Sequence, residues 1–304
     1  MYMIEKYYGI DSGSAAEKIA KLQTMKPFQH GTRARAFMFD DCVVLETKWL
    51  NFRNGGIRDE DMKHFDEIVR TLIRLHKQGA GVVPILGYRR VPKSAEGLGY
   101  VFMAKAKGVE LWDDHVMELW NEASMECLAN IYRESGDRAY LERTKQYILN
   151  QADRLAQAPQ QHYDKFISDY FMLVREDIKV DAGARSNFFY DESIGFQFID
   201  INSHTEYKYG LSDKRTLDKQ EVKGFCACIN RIAPNLRAAM TDSEYAEIVE
   251  NNIRIFQKTK SSMIKNGFTE EEIARLLVEK DEGKDYCSLI VVGVNDAPQN
   301  DLER

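Results

Sequence analysis

The chain of 304 residues is poor in cysteine, has no long apolar run and carries no excess of positive charge. Its five cysteines, Cys42, Cys127, Cys226, Cys228 and Cys287, are odd in number and form no CxxC, which argues for free thiols in a reducing compartment over a disulfide frame or zinc site. Apolar runs such as Ser288 to Val294 fall far short of the ~20 residues a spanning helix needs, so no transmembrane segment is expected. A formal net charge of −6 gives no general attraction to nucleic acid or to an anionic membrane. The N-terminus, MYMIEKYYGIDSG, lacks the basic start and apolar core of a secretory signal, which predicts a cytoplasmic protein.

What is present is a globular composition, 44% apolar and 30% charged, in a chain long enough for one large domain or two ordinary ones. Ser14 to Thr24 reads as a short helix with Ser14 as N-cap and Glu17 in the capping-box position. Ala34 to Phe39 and Cys42 to Thr47 flank Asp40-Asp41, the length of a two-residue hairpin turn. That register brings Lys48 near Arg33, and so near a loop, His30 to Arg33, whose N–H groups and hydroxyl could receive phosphate. Arg58 to Gln78 has Met62, Phe65, Val69, Leu72 and Ile73 on one helical face and is stopped by Gly79 and Gly81. Strand-like runs follow at Val82 to Tyr88 and Gly99 to Ala104. Hairpin, helix, strand, strand suits an antiparallel sheet with a single helix packed on it, an α+β unit of about a hundred residues.

Beyond Ala106-Lys107-Gly108 the apolar spacing is helical at Trp112 to Arg133, Arg138 to Ala158, Tyr163 to Glu176, Leu217 to Ala239, Asp242 to Lys265 and Thr269 to Glu279. Asp285 to Val294 reads as a strand and Asn295 to Arg304 as a frayed tail. The expected division is therefore a sheet unit, 1–106, and a helical unit, 107–304.

One stretch interrupts the helices: Asn187 to Asp200, NFFYDESIGFQFID. Aromatic ends around Asp191, Glu192, Ser193 and Gly195 predict two strands joined by a tight turn. If the turn is Glu192 to Gly195, Asp191 faces Phe196 and Asn187 faces Asp200, with opposed Cβ atoms ~5 Å apart. A carboxylate and an amide oxygen held that close can share a Mg²⁺ ion, which prefers hard oxygen ligands.

Taken together, a small sheet with one helix, a connector and a helical unit holding a metal-poised hairpin resembles the protein-kinase-like fold, including its aminoglycoside phosphotransferase branch. The resemblance covers roughly Pro27 to Asn202 and implies a bilobal fold that uses ATP and Mg²⁺. It matches Lys48 to the strand lysine that contacts nucleotide phosphates, and Glu67, nineteen residues on, to the helix glutamate that pairs with it, with Asp66 as the local alternative. It makes Met103 a gatekeeper, gives Ala104 to Ala106 to an adenine edge and places Glu110 near the ribose. The thirteen-residue step from Asn187 to Asp200 matches the metal-binding pair, and Asp181 corresponds to the aspartate that orients the attacking hydroxyl.

Departures from the family pattern narrow the reading. The phosphate loop keeps only Gly31, leaving Thr32, Arg33 and backbone amides to hold phosphate. Asp181 stands one residue further from Asn187 than in HRDxxxxN, Lys179 occupies the neighbourhood of the expected His or Arg, and Asp200-Ile201-Asn202 replaces DFG. With no APE-like motif, the pattern resembles a compact phosphotransferase of bacterial or phage type more than an ordinary eukaryotic protein kinase. Two functions follow from the resemblance: transfer of the γ-phosphate to a hydroxyl of a small molecule or protein, or nucleotide binding without turnover in a regulatory module.

Overall fold

Two antiparallel sheets and five helices organise the residues described by the computed structural model, which are 5–30, 34–47, 59–91, 99–110, 138–176, 178, 188–199, 240–271 and 273. In chain order the elements are β1 (Glu5–Tyr7), α1 (Ser12–Leu22), β2 (Gln29–His30), β3 (Ala34–Met38), β4 (Val43–Thr47), α2 (Asp59–Lys77), β5 (Ile85–Arg90), β6 (Gly99–Met103), β7 (Val109–Glu110), α3 (Arg138–Gln157), α4 (Gln160–Arg175), β8 (Phe188–Asp191), β9 (Gly195–Phe198) and α5 (Asp242–Lys265). The larger sheet runs β1-β5-β6-β4-β3-β2 and the smaller one β7-β8-β9. The architecture is α+β, as expected. The helices expected at Trp112 to Arg133 and Leu217 to Ala239, the strand at Asp285 to Val294 and the tail all lie outside the described residues. At Thr269 only the first turn is described, with the Ile273 N–H donating to the Thr269 carbonyl at 3.1 Å.

The β3–β4 hairpin closes on Asp40-Asp41 as its two-residue turn predicts: Met38 pairs with Val43, and the Phe39 N–H donates to the Cys42 carbonyl at 2.9 Å. Alternation then gives the sheet two apolar faces. On one, Phe37, Val44 and Phe102 are buried under Ala15 and Leu22 of α1. On the other, Val101, Met103 and Tyr88 are buried beneath Phe65, Val69, Leu72 and Ile73 of α2. The expectation of a single helix on the sheet is thus corrected, because α1 covers the second face. Its N-cap is Asp11, whose carboxylate accepts the Ser14 N–H at 2.8 Å, and not Ser14. An Asp one turn earlier satisfies the same orphan donor, and the Ser14 hydroxyl instead accepts from Lys18 at 2.8 Å.

Beyond the edge of α1 the same sheet face turns polar. Register lines up Arg35, Glu46, Tyr100, Arg89 and Glu5 across five strands, and Arg35–Glu46 and Arg89–Glu5 are ion-paired, the latter at 2.9 Å. β1 and β2 went unread in the sequence because three and two residues are too few to show alternation.

α2 ends in a full Schellman turn. Gly79 adopts φ +92, its N–H donates to the His76 carbonyl at 2.9 Å and the Ala80 N–H to the Leu75 carbonyl at 3.0 Å. α5 ends the same way at Gly267, with Phe268 buried behind it.

One core runs from α2, β5 and β6 through β8 and β9 to α3, α4 and α5. α5 packs on both α3 and α4. Lys258 of α5 caps the end of α3, donating 2.5 Å hydrogen bonds to the carbonyls of Ala156 and Ala158, with its ammonium 5.9 Å from the centre of the Tyr163 ring. Asp164 of α4 receives Lys265 at 2.5 Å, Ser262 at 2.6 Å and Gln160 at 2.9 Å.

For Asp164, burial alone would raise the carboxyl pKa, but the bonds from Lys265, Ser262 and Gln160 overcome it and hold the group below its ordinary 3.8. A folded-state pKa below the unfolded one means stabilisation that is complete above the unfolded value and fades as pH falls through the folded value. Asp164→Asn should therefore melt below the wild type at pH 6, and the gap should narrow progressively as the pH is lowered below 3.8. An equal gap across that range would show that the carboxylate charge contributes nothing.

Candidate functional site

The connector between the two sheets is held at both ends. At its start the Ala104 N–H donates to the Pro84 carbonyl at 2.8 Å, extending β6 by one bond. At its end the buried side chain of Gln197, on β9, takes both polar groups of Lys107: its Oε1 accepts the Lys107 N–H at 3.2 Å and its Nε2 donates to the Lys107 carbonyl at 2.7 Å. Gly108 follows at φ +81, so close to β8 that a Cβ there would lie 2.1 Å from the Tyr190 carbonyl oxygen. Between these anchors the Ala104 carbonyl and the N–H and carbonyl groups of Lys105 and Ala106 make no hydrogen bond to any described residue. Ala104 and Ala106 are nonetheless half-buried.

The hairpin beneath the connector rests on α4 through aromatic contacts. The Phe166 ring lies 5.7 Å from Phe188, 4.8 Å from Phe196 and 5.1 Å from Phe198 between centroids, and Tyr163 lies 5.4 Å from Phe196. Alternation turns Phe188, Tyr190, Phe196 and Phe198 to this core and Phe189 and Gln197, which oppose one another, to the other face. Phe189 is half-buried there.

The register differs from the one expected. Asp191 pairs with Gly195, not Phe196, and the loop is Glu192 to Ile194, one residue shorter than the Glu192 to Gly195 turn. The cause is local: the Asp191 carboxylate accepts the N–H groups of Ser193 at 2.9 Å and Ile194 at 3.2 Å, and Gly195 re-enters the strand at φ +83, the left-handed position of a three-residue hairpin loop. Bonds from the Ser193 hydroxyl and N–H hold the Asp191 carboxyl below its ordinary pKa. The register that set Asn187 opposite Asp200 loses its premise.

β9 is also tied to the loop after α2. The Phe198 N–H donates to the Gly81 carbonyl at 2.7 Å and the Val83 N–H to the Phe198 carbonyl at 3.1 Å, while the Gly81 N–H donates to Asp169 of α4 at 2.7 Å. Lys165 pairs with Asp169 and donates to the Gly79 carbonyl at 2.6 Å. Burial pushes the Asp169 carboxyl pKa up against the opposing pull of Lys165 and the Gly81 N–H.

Of the residues singled out in the sequence, Met103 is buried at the end of β6, paired with both Val43 and Ile85, and Ala104 and Ala106 form the connector. Glu110 is on β7, opposite Phe189. On α2 the Glu67 side chain is exposed, whereas Asp66 is buried and ion-paired with Arg90 at 2.9 Å. Burial raises the Asp66 pKa, against the attraction of Arg90. Gly31, Thr32, Arg33, Lys48, Asp181, Asn187 and Asp200 lie outside the described residues. Gln197, Asp169 and Phe189 were not singled out. The one available signal was a glutamine set between two phenylalanines in an otherwise apolar strand.

No family model and no curated protein matches the chain. Among solved structures, a glucosamine kinase (crystal form B) is similar to it with a TM-score of 0.38 at 9% identity, over 97% of this chain and 80% of that one. At that level the likeness does not establish a shared fold. No helix among the described residues is long and apolar enough to cross a membrane.

Gly108→Ala should disturb the connector more than any surface substitution, because the new Cβ meets the Tyr190 carbonyl in addition to the ~1–2 kcal/mol that a left-handed conformation costs an L-residue. The urea midpoint should fall well below that of Gly79→Ala, where φ is also positive but the space is open. Equal midpoints for the two variants would mean that the connector yields freely.

Proposed function

We propose that the chain is an ATP- and Mg²⁺-dependent phosphotransferase with a protein-kinase-like arrangement of a sheet lobe, 1–106, and a helical lobe, 107–304. The observation that carries this reading is the connector, a strip of backbone at Ala104 to Ala106 that is fixed at both ends and unpaired among the described residues, with Ala104 and Ala106 half-buried and Lys105 exposed between them. Backbone N–H and C=O groups without protein partners are open to water or to a ligand that supplies both a donor and an acceptor. The edge of adenine supplies one of each. In this reading Met103 closes the back of the slot, the half-buried Phe189 ring offers a stacking surface, and the ribose is assigned to Glu110, the residue of β7 that pairs with Phe189.

Residues 31–33 and Lys48 then hold the phosphates, Glu67 or Asp66 supports the lysine, and Asn187 and Asp200 hold Mg²⁺. The ion's part is to neutralise charge on the β- and γ-phosphates. The acceptor hydroxyl, oriented by Asp181, attacks the γ-phosphorus while the bond to the bridging oxygen of ADP breaks, and the hydroxyl proton passes to the Asp181 carboxylate. A small molecule or a protein side chain can supply that hydroxyl. Nucleic acid and membrane have no part in the scheme.

A second reading is a kinase-shaped module that binds nucleotide without turnover; it is favoured by the register of β8 and β9, which removes the premise from which Asn187 was set opposite Asp200.

ATP with Mg²⁺ should raise the melting temperature, with a stabilisation of about 2.7 kcal/mol at a hundred times Kd. Lys48→Ala should weaken that response without unfolding the chain. An undiminished response would remove Lys48 from the site. Asp181→Asn should keep nucleotide binding and lose label transfer from γ-labelled ATP. Labelling that persists in Asp181→Asn refutes its role, and ATP binding with no labelling by either form selects the binding module.

A further inference from the structure

We propose that Gln197 fixes the base preference of the nucleotide site, acting as a positioning residue through the connector; the inference rests on the nucleotide-binding reading above. A side-chain amide carries a carbonyl and an N–H group in the spacing of a peptide edge. Gln197 therefore pairs with Lys107 as a neighbouring strand would, accepting its N–H at 3.2 Å and donating to its carbonyl at 2.7 Å. The partners force the orientation of the amide, since the reverse flip would set donor against donor and acceptor against acceptor. Gln197 is buried, and no other described side chain bonds the connector backbone between Ala104 and Lys107.

The consequence follows from the shortness of the strip. The Ala104 N–H is held by Pro84 and Lys107 by Gln197, so the free groups of Ala104, Lys105 and Ala106 cannot slide along the chain direction. Adenine presents a donor and then an acceptor along the edge that a backbone strip reads, the exocyclic amine followed by N1. Guanine presents the reverse, O6 and then N1–H. A strip whose register is fixed to within about half an ångström tells the two apart, whereas one free to shift by a peptide group exchanges donors for acceptors and does so poorly. Lys107 itself is withdrawn from ligand contact, because both of its backbone groups are occupied.

The test compares the wild-type chain with Gln197→Leu, which keeps an apolar side chain of similar volume and removes both bonds, and with Gln197→Met, which keeps the unbranched length and likewise removes both bonds. Two measurements are made: affinity for ATP and for GTP with Mg²⁺ by calorimetry, and hydrogen exchange of the Lys107 and Ala106 amides without nucleotide. The expected result is that wild type prefers ATP. Both variants should exchange faster at Lys107 and lose about tenfold in the ATP-to-GTP ratio, the scale of two lost neutral hydrogen bonds. A residue that serves only stability would lower the melting temperature and leave the ratio unchanged, and that result overturns the inference. A wild type that binds both nucleotides without preference overturns it as well. A wild type that binds neither removes the underlying reading and the inference together, a result told apart from the others by the absence of any calorimetric signal. If Gln197→Leu does not fold, Gln197→Met alone decides, since its unbranched apolar chain follows the shape of glutamine.

Discussion

Gly81 is the point on which the two halves of the chain turn. Its N–H is taken by Asp169, its carbonyl by the Phe198 N–H, and a side chain there would meet the Phe196 carbonyl oxygen at 2.6 Å and the Asp169 carboxylate at 3.0 Å. Three elements meet at this one residue: the loop leaving α2, the strand β9 and the helix α4. Because a backbone unit with no side chain is bonded on both sides, the hairpin cannot shift relative to α2 without breaking a hydrogen bond inside the core, where an unmade bond costs the most. The same strand, one residue before Phe198, supplies Gln197 to the connector. Placement of the connector, the hairpin and α2 is thus one constraint expressed in three places.

Much of the regular structure was legible because long periodic stretches leave little choice. α5 runs from Asp242 to Lys265 as read, and its capping box at Thr241 and Glu244 adds a bond to Lys145 of α3 at 3.1 Å. α2, α3 and α4 agree to within a few residues, as do β4 and β6. What failed was short or depended on a single residue. β1 depends on pairing with β5 and has no pattern of its own, and α1 found its place only when the second apolar face of the sheet was seen. The expected turn is one residue too long because Gly195, despite its left-handed φ, pairs with Asp191 and so opens the returning strand.

The candidate site was legible in a different measure. Met103 and the connector were found from the end of an apolar strand followed by small residues, a local signal. The acid on α2 was harder. A helical wheel turns Glu67 outward, and Asp66 is the buried one, but its partner is Arg90 on the neighbouring strand. That pairing could not be read because it depends on which strand lies under the first turns of α2. Gln197 and Asp169 are polar residues inside apolar stretches, and their partners are backbone groups far off in sequence, which leave no mark in composition or spacing.

The edges of the larger sheet have a bearing on how the chain behaves among its own copies. Its outermost strands, β1 and β2, are three and two residues long, and β1 carries Glu5 and Lys6. An edge this short offers a passing strand few free backbone groups and sets charge beside them, which is how natural sheets discourage strand-to-strand association. Behind β1 lies β5, six residues of which Ile85, Gly87 and Tyr88 are buried and the rest half-buried. The segment before α1 therefore does for β5 what a cap does for a helix end: it occupies backbone groups at Gly87, Tyr88 and Arg89 that would otherwise stand at a sheet edge.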